Sequence, residues 1–135
     1  MSNPFHLDTV GPSVLARAVL NELLSKLRDL TENGRTANID LKRLPLTTAD
    51  RELLKTHLGR GEVNAKFDAL GVSKITETRF SGIWWAIHKN AGGDVVGETI
   101  EIALIPEILA TTLPQAVEAA DTLAAELATL PAADT

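Results

Sequence analysis

Apolar residues recur through the first third of the chain at the spacing of a helix. Pro12 follows Gly11 where a first helical turn tolerates proline. From there Leu15, Ala16, Val19, Leu20, Leu23, Leu24, Leu27 and Leu30 fall on one side, while Arg17, Asn21, Glu22, Lys26 and Arg28 take the other. A period of this kind predicts an amphipathic helix. Asn33-Gly34 supplies its C-terminal cap, because both residues tolerate a left-handed backbone. Residues 1–10 read as a lead-in arm.

The period then changes. Residues 36–42 alternate weakly through Ile39 and Leu41 and predict a short strand. Thr47 or Thr48 could cap a helix that runs to about residue 58, with Gly59 closing it. Beyond it, Val63, Ala65, Phe67 and Ala69 share one face while Glu62, Asn64, Lys66 and Asp68 share the other. That two-residue alternation predicts a strand with one wet face. Gly71 marks a turn into a second strand over about 73–88, with Gly82 as a bulge or bend inside it. Residues 90–94, Asn-Ala-Gly-Gly-Asp, predict a hairpin loop. A third strand over about 95–104 puts Val96, Ile100, Ile102 and Leu104 on one face.

Pro106 ends the sheet region, and Pro114 starts or kinks a last helix. Leu113, Ala116, Val117, Ala120, Leu123, Ala124, Leu127 and Leu130 form its apolar stripe, and residues 131–135 read as a frayed tail. No repeat or linker divides the chain, so residues 1–135 are expected to form one domain. An antiparallel sheet of three to four strands needs its apolar face covered. The first and last helices are the expected cover, which gives an α+β fold, a two-layer sandwich.

Composition narrows the function classes. A hydrophobic fraction of 44% and a charged fraction of 23% are ordinary for a soluble globular protein. The net charge of -5, with bases interspersed among acids, argues against nucleic acid as a partner. The chain has no cysteine, so it supplies no disulfide, thiolate nucleophile or cysteine-ligated cluster. It shows no basic-then-apolar signal pattern and no run long enough to span a bilayer, so a cytoplasmic location without membrane insertion is expected.

Candidate chemistry is sparse. His6, His57 and His88 lack the spacing of a helical two-histidine metal site, and no metal or cofactor is assigned. Glu62, Glu77, Glu98 and Glu101 fall in the sheet region, where two could meet as an acid–base pair. No pattern fixes their separation, and no catalytic residue is assigned. Gly59-Arg60-Gly61 leads into a strand and does not open a helix, so it is no dinucleotide fingerprint. Trp84-Trp85 is more informative. Neighbours on a strand face opposite sides, so with one face covered by helices one indole should lie exposed. Beside Phe80 and Ile83 it would form a partner-binding patch, unless a loop or a second subunit covers it.

Three segments in order carry a family resemblance. They are 58–63 (LGRGEV), 77–85 (ETRFSGIWW) and 100–106 (IEIALIP). Together they resemble the conserved region of the HupH/HyaF hydrogenase expression proteins. The resemblance implies a cytoplasmic, non-catalytic accessory protein in the maturation of nickel–iron uptake hydrogenases. It implies an assembly chaperone that binds the iron–sulfur small-subunit precursor before twin-arginine export, alongside a thioredoxin-like accessory protein. Family members are often longer and carry a related region twice; one copy is visible here, and homodimerisation would supply the second. On this reading Trp84, Trp85, Phe80 and Ile83 give apolar contact, and Glu62, Glu77 and Glu101 form an acidic rim for signal-peptide arginines. The alternative is a self-associating scaffold that recruits other accessory proteins.

Overall fold

The computed structural model describes residues 14–68 and 70–133. The lead-in arm, His6, the Gly11-Pro12 start, Ala69 and the last two residues of the tail lie outside the described residues. The first helix, α1, spans Val14–Asn33, and a short strand, β1, spans Ala37–Asp40. The second helix, α2, spans Thr48–Leu58. Thr47 caps it: the Asp50 N–H donates to Thr47 Oγ1 at 3.0 Å, and the Thr47 N–H returns a bond to Asp50 Oδ2 at 2.9 Å. This reciprocal box satisfies two amides that a helix start otherwise leaves unpaired.

Four strands follow: β2 (Asn64–Asp68), β3 (Val72–Glu77), β4 (Ile83–Lys89) and β5 (Val95–Ile102). With β1 they form a five-stranded antiparallel sheet in the order β1-β5-β4-β3-β2. The α+β class stands, but the sheet has five strands where three to four were expected. The difference lies in residues 73–88, read as one strand and folded as two. Gly82 has φ 96, a left-handed conformation, and a Cβ there would sit 2.9 Å from Leu27 Cδ1. It therefore closes a turn over residues 78–82, and the register irregularity falls at His88/Lys89.

The helices cover the sheet unevenly. Val19, Leu23 and Leu30 of α1 and Leu54 and Leu58 of α2 pack with Ile83 and Trp85 of β4 and Ile100 and Ile102 of β5. Neither β2 nor β3 contributes to this cluster. The opposite face carries a smaller one of Ile75, Trp84 and Ala86, joined by Phe67 and Leu109. Leu109 ends a 3-10 turn, Glu107–Leu109, so the chain leaving β5 folds across that second face.

The last helix, α3, spans Leu113–Thr129 and has no buried residue. The expectation that it would cover the sheet is corrected: α2 takes that place beside α1. Both hydrophobic clusters are built from residues that precede α3, and its apolar stripe joins neither of them.

Candidate functional site

The three motif segments, far apart in sequence, meet at one end of the sheet. The Arg79 N–H donates to Leu58 O at 2.8 Å, the Gly61 N–H to Glu77 O at 2.7 Å, and the Glu77 N–H to Val63 O at 2.9 Å. These bonds join the end of α2 and the entry to β2 onto the 78–82 turn. On the other side of that turn the Ala103 N–H donates to Gly82 O at 3.0 Å. The Trp84 indole N–H then donates to Ala103 O at 3.0 Å. Thr78 stiffens the turn from inside: it is buried, and its hydroxyl donates to Ile83 O at 2.8 Å. Gly61 is forced by close approach, since a Cβ there would meet Glu77 Oε1 at 2.4 Å.

This end of the sheet exposes apolar side chains. Phe80 in the turn is 39% exposed, with the Arg79 guanidinium 4.5 Å from its ring centre. Leu104 is 84% exposed, and Val63, Ile105 and Ile108 are also exposed. Large apolar side chains held out on hydrogen-bonded turns suit a contact surface better than a core.

The tryptophans are buried and do not form part of this exposed surface. They face opposite sides of the sheet, as strand alternation requires, but Trp84 is 6% and Trp85 9% exposed. The expectation that one indole would be exposed is corrected, because the segment carrying Leu109 covers the Trp84 face. Ile83 is likewise buried. Trp85 donates its indole N–H to Glu98 Oε2 at 2.9 Å, and Arg51 of α2 pairs with the other oxygen of that carboxylate.

The carboxylates do not converge. Glu98 is buried on the helix side, while Glu77 and Glu101 face the other way, each directly opposite Trp84 in the ladder. They stand two strands apart, roughly 10 Å between backbones, with the indole between them. Glu77 Oε1 accepts from the Glu62 N–H at 3.1 Å. Burial raises the Glu101 carboxyl above its ordinary range, His88 lowers it and Glu107 raises it. Glu62 is exposed, and Glu77 and Glu101 are half-buried. His57 holds Arg79 through its carbonyl, and His88 Nδ1 lies 3.0 Å from Ser73 Oγ. Among the described residues no three His, Cys, Asp or Glu side chains gather as metal ligands, and no helix is long and apolar enough to cross a membrane.

Sequence reasoning had named Phe80 and the three acids as candidate contact residues, and it had not named Leu104, Ile105 or Ile108, which are exposed at the same end. Leu104 had been placed on the apolar face of β5. The strand ends at Ile102, and Ala103 turns the chain so that Leu104 points outward.

Comparison with known proteins gives this end of the sheet its context. The family described as "HupH hydrogenase expression protein, C-terminal conserved region" matches residues 14–130. The hydrogenase expression/formation protein HoxQ of Azotobacter vinelandii is 33% identical over 95 residues, which is 70% of this chain and 33% of that protein. HupQ of Azotobacter chroococcum mcd 1, described in the same words, is 34% identical over 109 residues, covering 81% of this chain and 37% of the relative. The chain thus spans about a third of the length of these relatives. The solved structure of the hydrogenase expression protein HupH from Thiobacillus denitrificans ATCC 25259 superposes with a TM-score of 0.83 at 39% identity, over 87% of this chain and 98% of that one.

Proposed function

The chain belongs to the HupH hydrogenase expression protein family, and from that premise we propose that it serves hydrogenase maturation as a non-catalytic accessory protein in the cytoplasm. Its client on this reading is the iron–sulfur small-subunit precursor before export. The observation that carries the reading is the junction of the three motif segments into one hydrogen-bonded end of the sheet that displays Phe80, Leu104 and Ile105. The family resemblance and the exposed apolar surface coincide in space.

Capture follows from that geometry. The two turns are pinned to the sheet, so a bound segment meets apolar side chains that lose little freedom on contact. Trp84 and Ile83 act from beneath; the indole bond to Ala103 O fixes the backbone from which Leu104 projects. Trp85 supports β4 from the opposite face. Glu62, Glu77 and Glu101 border the same end and offer negative charge to arginines of the client. A cysteine-free chain holds no cluster through thiolates, so its contribution is to the polypeptide.

The exposed stripe of α3 supports a second reading, a scaffold that recruits other accessory proteins, including a thioredoxin-like one. Co-purification under reducing, low-salt conditions separates the two. Retention of the precursor by the wild type, and its loss with Phe80→Asp or Leu104→Asp, is expected for a chaperone. Retention of accessory proteins without the precursor would overturn that reading in favour of the scaffold.

A further inference from the structure

The helix-side face of the sheet is bare where α1 and α2 stop, and a groove runs there along α2. One part, about 270 Å³, is lined by Lys55, Arg60, Lys74, Thr76, Trp85 and Ile87. A neighbouring cavity of about 450 Å³ shares Lys55 and Ile87 with it and is lined further by Leu44, Leu46, Lys42 and Arg51. Five cations line the two together. The single carboxylate among them, Glu98, is buried and already paired with Arg51. Lys55, Arg60 and Lys74 have no ion-pair partner among the described residues. In a chain of net charge -5 this is a local reversal of sign over an apolar floor.

The complementary piece is on the same chain. Residues 111–133, which include α3, carry Glu118, Asp121 and Glu126 and no lysine or arginine. Every residue of the helix is exposed, and Leu113, Val117, Leu123 and Leu127 stand out as large apolar side chains. An acidic amphipathic helix without a partner and a basic apolar groove without an occupant match in charge and in chemistry.

We propose that α3 of one copy docks in the Lys55–Arg60–Lys74 groove of a second copy, and that the exchange is reciprocal. Topology favours a second copy over the helix's own groove. Leu109 packs on the Trp84 face, whereas the groove opens on the Trp85 face. Four Cα steps separate Leu109 from Leu113, a reach of roughly 14 Å. A route past an edge strand crosses two strand spacings of about 4.8 Å and then the thickness of the sheet, which the connection cannot span. Two-fold exchange lets each copy give one helix and receive one. This inference is independent of the client-binding surface, which lies at the Phe80 end of the sheet.

The absence of cysteine makes the test clean. Ala120→Cys on α3 and Thr76→Cys beside the groove are prepared as separate full-length variants, mixed, and treated with a short bismaleimide. The mixture is expected to give a cross-linked dimer that neither variant gives alone. Light scattering should report twice the chain mass for the wild type and one chain mass for Lys55→Glu/Lys74→Glu. Adding Glu118→Lys, Asp121→Lys and Glu126→Lys to that variant should restore the dimer. A monomeric wild type overturns the proposal. So does cross-linking of Ala120→Cys with itself, which would mean helix-to-helix pairing, or, in a third variant that carries both cysteines, a bridge formed only within one chain. The substituted side chains lie outside both hydrophobic clusters, so an unchanged far-ultraviolet circular dichroism spectrum and a cooperative melt separate lost docking from misfolding, while the melting temperature itself falls with loss of the dimer.

Discussion

Replacing Trp84, Trp85 or Phe80 by alanine separates a support role from a contact role, because the three differ in burial. Trp84 fills the second hydrophobic cluster and bonds Ala103 O, so Trp84→Ala opens a cavity and orphans an acceptor. Core tryptophan truncation costs about 3–5 kcal/mol. Trp85→Ala falls in the same range and also removes a donor from the buried Glu98 carboxylate. Phe80 keeps 39% of its surface in water, and its loss costs about 1 kcal/mol from partial burial. Unfolding entropy of about 2.1 cal/mol/K per residue, over roughly 100 residues of sheet and packed helices, gives ~0.2 kcal/mol/K. The tryptophan variants should therefore melt ~15–25 °C below wild type and Phe80→Ala ~5 °C below. Circular dichroism melts, with urea titration as a second measure, read the difference. A Trp84→Ala protein within about 1 kcal/mol of wild type that nevertheless loses its client would refute the reasoning and make the indole a contact residue.

Other perturbations test neighbouring parts of the account. Arg51→Ala leaves Glu98 buried with only the Trp85 indole as donor; breaking a buried pair costs about 3–5 kcal/mol, and a guanidinium side chain 34% exposed reduces that to about 1–3 kcal/mol, measurable by urea unfolding. Burial holds the Glu101 carboxyl above its ordinary range, so the folded state binds the proton more tightly than the unfolded chain and stability falls as pH rises through that window. Glu101→Gln should therefore raise the melting temperature at pH 7, and the gain should vanish below the unfolded value of about 4.3; an equal gain at both pH values would contradict this. Gly82→Ala forces a left-handed residue and a 2.9 Å contact with Leu27, and should cost about 1–3 kcal/mol in the same unfolding assay.

Local signals in the sequence carried most of the elements. The α1 stripe ends at Asn33-Gly34, and Thr47 caps α2, because periodicity and capping depend on near neighbours. The number of strands was less legible. Gly82 within an apolar run reads equally as a bulge or as a turn, and only the packing of Leu27 against it decides. The fate of α3 was illegible for a different reason: an amphipathic stripe says that a helix wants an apolar partner but not which one. Trp84 and Trp85 show the same limit. Alternation placed them correctly on opposite faces, but the cover over Trp84 comes from Leu109, 25 positions later, in a segment with no regular period. Phe80 and the acids were candidates because they sit in the motif segments, whereas the exposure of Leu104 was hidden by the assumption that β5 continues through it.

The most direct test of the central claim is hydrogen–deuterium exchange of the protein with and without the small-subunit precursor. Slowed exchange is expected over residues 78–82 and 103–109, the two turns that display Phe80 and Leu104, with α1 unchanged. Protection confined to α1 or α3, or no protection at saturating precursor, would contradict it.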